Sequence, residues 1–133
     1  MINILSLMQN KRFVPGGRGP VEFDCFGFCA EVYRQFDLDL PTDYPAPVDN
    51  AERDREIRKA MDEPRYVKLD RPEVPCLVAL MVRPPYVSHV GVMISPTEFI
   101  HIVDKSGVSV IEIHNEFWNK RIAGFYRYRG EAA

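Results

Sequence analysis

The apolar positions of this chain change period near its middle. From Cys25 to Phe36 they fall at Cys25, Phe28, Cys29, Val32, Tyr33 and Phe36, steps of three and four that share one face of a helix. Asp24, just ahead, is a good N-cap, because its carboxylate can accept from the unpaired amides of a first turn. The helix should end near "DLDLP", since Pro41 disfavours helical geometry at Leu40. A second helix is expected over "NAERDREIRKAMDEP". Its charges alternate in sign and only Ile57, Ala60 and Met61 offer a packing face, so it reads as a surface helix without chemistry.

From Tyr66 onward the period shortens to two. "YVKL", "CLVALMV", "SHVGVMI", "EFIHIVD", "GVSVIEI" and "GFYRY" are short and rich in β-branched and aromatic residues. The turns "RPPY", "SPT" and "DKSG" are short enough to join antiparallel neighbours. "HNEFWNKRIA" interrupts the series as a short helix, while "KRFVPGGRGP" reads as an irregular loop and "PTDYPAPVDN" as an extended connection. Helices followed by consecutive strands predict an α+β fold, the Cys25 helix packed on an antiparallel sheet of about five to six strands.

Composition narrows the function classes. A length of 133 residues suits a single domain over 1–133, with 46% hydrophobic and 27% charged residues. A net charge of -2 lacks the concentrated basic surface of nucleic-acid binders. No stretch approaches the ~20 apolar residues of a membrane span. "MINILSLMQNKRF" has neither the basic start nor the cleavage site of a signal peptide. Three cysteines are too few for a disulfide framework, and the ordinary reading of each is a buried reduced thiol.

The strand period places two histidines. His89, Gly91 and Met93 share one face, as do Phe99, His101 and Val103. A hairpin folded about Ser95 and Pro96 sets His89 roughly opposite His101 or Ile102, so the imidazoles can be neighbours. Such a pair is what a cysteine nucleophile needs. A free thiol titrates near about 8.5, and both a helix N-terminus and an imidazolium would lower that value. A fall to about 6 would leave the thiol ~90% ionised at pH 7. His89 would then serve as base and acid, with His101 orienting its ring. The charge of Asp24 opposes this unless the cap occupies it.

Cys29 faces the sheet one turn on and reads as packing; His114 reads as surface. Cys25-x3-Cys29 with His89 and His101 matches no common zinc spacing, and it is not the two-residue-spaced redox motif. No metal and no cofactor are expected.

At these residues the sequence resembles the NlpC-type cysteine peptidases, papain-like enzymes that cut bacterial cell-wall peptides. The resemblance runs through Phe13, Gly16-Gly17, Asp24-Cys25-Phe26-Gly27-Phe28, His89-Val90-Gly91 and His101, and into "FWNKRIAGFYRY". Phe13 and Cys25 are twelve residues apart, as are His89 and His101. The vaguest part is the link from Pro41 to Pro75. The aromatic residue after the cysteine and the closing Leu-Pro of "DCFGFCAEVYRQFDLDLP" are most similar to the branch in phage tails and prophages.

The resemblance implies Cys25, His89 and His101 as the catalytic set, and Phe13, Asp24, Gly27 and Ser88 as substrate-side residues. It implies a peptidoglycan stem peptide as substrate, typically cut at a γ-D-glutamyl–diaminopimelate bond. The expected partners are other phage tail-tip proteins, and the expected location is the virion, or the host cytoplasm before assembly. In the family a tyrosine stands where this chain has Phe13, which alters substrate positioning or oxyanion support. Pro75-Cys76 replaces a common Gly-Asp turn. A catalytically quiet structural or wall-binding module on the same fold is the alternative, and another amide or acyl substrate is the third reading.

Overall fold

The computed structural model describes residues 2–130. In chain order its elements are α1 (Ile4–Met8), β1 (Arg12–Phe13), β2 (Glu22–Phe23), α2 (Cys25–Arg34), α3 (Asn50–Met61), β3 (Tyr66–Leu69), β4 (Leu77–Leu80), β5 (His89–Met93), β6 (Glu98–Val103), β7 (Gly107–Glu112), α4 (Glu116–Asn119) and β8 (Ile122–Tyr128). All six expected strands form, and they make one antiparallel sheet in the order β3-β8-β4-β5-β6-β7. The last strand inserts between the first two, an arrangement that strand patterning by itself does not dictate.

Differences from expectation lie at the ends and in the glycine-rich stretch. The residues read as an irregular loop include β1, which pairs in parallel with β2 just beyond them, Arg12 beside Glu22 and Phe13 beside Phe23. Helix α2 stops at Arg34, ahead of "DLDLP", and Asp37 takes a positive φ of 61° that ends helical geometry before Pro41 can. Helix α3 buries Ile57, Ala60 and Met61, the face its sequence offers.

Strand alternation splits the core in two. Leu77, Ala79, Val90, Val92, Ile100 and Ile102 face α2, meeting Phe28, Cys29, Val32 and Tyr33. Each such large side chain, fully buried, contributes about 1.5–3 kcal/mol of transfer free energy. Cys76, Val78, Leu80, Met93 and Phe99 form the second cluster, on which Trp118 of α4 and Phe125 of β8 pack. Cys29 and Cys76 are therefore packing thiols. His114 is exposed.

Candidate active site

The cysteine half of the site is built within residues 12–28. Asp24 Oδ1 accepts from the Gly27 amide at 2.7 Å, the expected cap. Its Oδ2 is paired with Arg18, whose guanidinium also donates to the carbonyls of Gly17, Thr42 and Tyr44. A Cβ on Gly27 would stand 2.4 Å from the Gly17 carbonyl oxygen, so only glycine lets the loop lie this close to the helix. Cys25, in the first turn, remains partly exposed. The backbone amides of Val90 and Phe26 both favour its anion.

The histidine half comes from the sheet. The β5–β6 ladder pairs Val92 with Ile100 and Met93 with Phe99. Continued by the strand period, that register places His101 across from Gly91, where a Cβ would stand 3.3 Å from the His101 Cβ. The expectation that His89 lies opposite His101 is corrected by this shift; the two rings meet diagonally over the glycine. His89 Nε2 and His101 Nδ1 are 3.0 Å apart, and His101 Nε2 is 3.1 Å from Ser109 Oγ. Ser109 is the direct β7 partner of His101.

Trp118 covers the pair, its ring centroid 4.9 Å from that of His101 and 6.2 Å from that of His89. If His89 Nδ1 is to hold a lone pair, its Nε2–H donates to His101 Nδ1 and His101 Nε2–H donates to Ser109 Oγ.

By alternation the imidazoles belong to the face that α4 covers, whereas α2 packs on the other. Paired contacts between β5 and β6 stop at Val92, ahead of His89, and the slot at Cys25 and the groove at His89 share a wall at Ser88. In this resting arrangement the ring contacts of the site run from His89 to His101 to Ser109, and among the described residues the sulfur takes no hydrogen bond from either ring.

Protonation differs from the expected ion pair. Burial, reinforced by Asp24, pushes the Cys25 thiol up to about 11, outweighing the Val90 and Phe26 amides and Arg53. Capping and the Arg18 pair do not remove the influence of Asp24. Burial, with His101 and Arg53 adding to it, holds His89 well below the usual imidazole range, and burial alone brings His101 down to about 4. The resting site holds a neutral thiol and neutral imidazoles, in place of a thiolate at a pKa near 6. The helix N-terminus is too weak to offset desolvation here.

A family model described as the NlpC/P60 family matches residues 10–127. The chain belongs to the NlpC/P60 family. A curated relative, the "Probable endopeptidase p60" of Listeria grayi, is 26% identical over 117 residues, covering 88% of this chain and 20% of its own length. The chain thus spans about a fifth of that relative. Among solved structures, a Staphylococcus aureus protein described as similar to lipoprotein, NLP/P60 family, superposes with a TM-score of 0.60 at 19% identity, covering 96% of this chain and 40% of that one. NlpC2 from Trichomonas vaginalis gives 0.63 at 17% identity, covering 95% and 44%. These likenesses establish the fold.

Two cavities border the candidate residues. A slot of about 40 Å³ borders Cys25 and Asp24, and a groove of about 440 Å³ borders His89. Phe13, Pro15, Arg53 and Ser88 line both. Gly27 is buried beneath Gly17 and lines neither. Among the described residues no three His, Cys, Asp or Glu side chains could hold a metal ion, and no helix is long and apolar enough to cross a membrane.

Sequence reasoning missed Ser109, Trp118 and Arg53. Ser109 had a signal, since folding the next hairpin about "DKSG" sets it opposite His101 on the same face. Trp118 lies in the interrupting segment, where no strand period applies. Arg53 sits on the helix read as being without chemistry. Nothing in an alternating charge pattern shows that the proline connection turns this face onto the cleft.

Proposed function

We propose that this NlpC/P60 chain is a thiol hydrolase of peptidoglycan stem peptides, with Cys25 as nucleophile, His89 as general base and acid, and His101 as the residue that orients His89. Family membership and the likeness to an endopeptidase support the peptidase reading. The observation that supports the residue assignment is the wall of Phe13, Pro15, Arg53 and Ser88 shared by the slot at Cys25 and the groove at His89, with the His89 imidazole 3.0 Å from that of His101.

From the neutral resting state, proton transfer accompanies attack. His89 Nδ1 takes the thiol proton as the sulfur bonds to the substrate carbonyl carbon. The oxyanion forms near the first-turn amide of Cys25, which no helical carbonyl reaches. His89 then returns the proton to the leaving amine, the C–N bond breaks, and a thioester remains. Water, deprotonated by the same ring, cleaves the thioester and restores the thiol.

The finer reading is a γ-D-glutamyl–diaminopimelate-type bond cut by a phage tail-tip component that aids wall penetration, docked to other tail-tip proteins. The motif "DCFGFCAEVYRQFDLDLP" and its branch resemblance support it. A structural or wall-binding tail module is the second reading, favoured by Phe13 and by the high proton affinity of Cys25.

The test is release of soluble peptides from purified cell wall, followed by mass spectrometry. Wild-type protein should cleave, and Cys25→Ala should lose about 10³-fold or more in rate while keeping its fold. Equal release by the variant overturns the thiol mechanism, and incorporation into tail particles without turnover selects the second reading.

A further inference from the structure

Helix α3 brings a cation to the cleft that the proposed chemistry leaves without a task. Arg53 follows the Asp49 cap, and its Nε donates to the Pro47 carbonyl at 2.7 Å. Its guanidinium carbon lies 6.0 Å from the centre of the Phe13 ring. Next to it in α3, Asp54 accepts from the Val87 amide at 2.7 Å, pinning the helix to the segment that leads into Ser88 and His89. Arg53 is thereby held on the wall common to the Cys25 slot and the His89 groove.

What this arginine lacks is an anion. The ion pairs of the described residues engage Arg12, Arg18, Arg34, Arg58, Arg65 and Arg127, and Arg53 is in none of them. The carboxylates that share its cavities are otherwise placed. Asp24 is taken by Arg18 and the Gly27 amide, while Glu56 borders the slot and Asp104 the groove, neither paired with Arg53. A half-buried guanidinium without a counter-ion is incompletely solvated, and its planar fork matches a carboxylate.

We propose that Arg53 is the carboxylate-binding residue of the cleft, selecting peptides with a free carboxylate on the residue that flanks the scissile amide. The peptide part rests on the hydrolase reading above; the anion part does not. The same charge disfavours the imidazolium of His89 and favours the Cys25 thiolate. A substrate carboxylate seated on Arg53 would neutralise it, so the proton affinity of His89 would rise as substrate arrives.

Two measurements on the full chain test this, with Arg53→Gln and the charge-keeping Arg53→Lys. The first compares alkylation of Cys25 by iodoacetate and by neutral iodoacetamide at low salt, read by mass spectrometry at that residue. The iodoacetate-to-iodoacetamide rate ratio should fall about fivefold or more in Arg53→Gln and less in Arg53→Lys. An unchanged ratio in Arg53→Gln overturns the proposal. The second compares stem peptides that carry the flanking group as carboxylate or carboxamide. Wild type should prefer the carboxylate by about tenfold in kcat/KM, mainly through KM, and Arg53→Gln should erase the preference. Equal turnover of the two by wild type also overturns it. If neither peptide is cut, the hydrolase reading fails, and the alkylation ratio alone decides on Arg53.

Discussion

His89 and His101 meet through one nitrogen pair, Nε2 to Nδ1 at 3.0 Å, above a strand position where Gly91 has no side chain to part them. The pair continues to Ser109, and a lone pair on His89 Nδ1 requires that His89 donate to His101 and His101 to Ser109. Ser109→Ala removes the acceptor that holds the far end. A neutral hydrogen bond contributes about 0.5–1.5 kcal/mol net, so kcat should fall about 2- to 10-fold with KM unchanged. His89→Ala should cost about 10²-fold or more. Steady-state kinetics on muropeptides check both; a Ser109→Ala enzyme with wild-type kcat would remove the serine from the relay.

Thiol reactivity offers a separate check. Because desolvation and Asp24 hold Cys25 up to about 11, its alkylation by iodoacetamide should be slow at neutral pH and still rising above pH 9. Asp24→Asn should bring the inflection down, if the helix survives a weaker cap. A plateau reached near pH 6 would mean that a thiolate–imidazolium pair exists at rest.

Acid stability follows from the same burial. His101 titrates at about 4 in the fold against 6.5 for a free imidazole, and His89 is displaced in the same direction. Below pH 6.5 the unfolded chain binds protons that the folded chain refuses, so stability is full above that pH and declines as pH falls toward 4. For His101 the loss is about 3 kcal/mol between pH 7 and pH 4. Urea midpoints at pH 7, 5 and 4 should show the decline, and His101→Gln, which cannot titrate, should flatten it. An unaltered acid slope in that variant would contradict the assignment.

The sequence made the period of each element legible, and with it the faces. Six strands, the capped helix at Asp24 and the shared side of His89 and His101 follow from alternation and helical spacing, which are local properties. Register is not local: two extra residues of hairpin offset moved His101 from opposite His89 to opposite Gly91, and alternation cannot see an even shift. Solvation was the other blind spot. A helix N-terminus and two imidazoles suggest an ionised thiol, yet the sulfur and both rings are packed deeply enough for desolvation to win. Arg53 was invisible for a third reason, since the proline connection that aims it has no periodic signal.

The cysteine and its cap come from residues 12–28, the imidazole relay from β5, β6 and β7, and the lone guanidinium from α3, reached through the proline connection. On the hydrolase reading proposed above, bond-making and substrate choice would be written on separable pieces of one polypeptide. A lineage could exchange its 41–62 stretch and acquire a new diet while the atoms that break the bond descend unaltered.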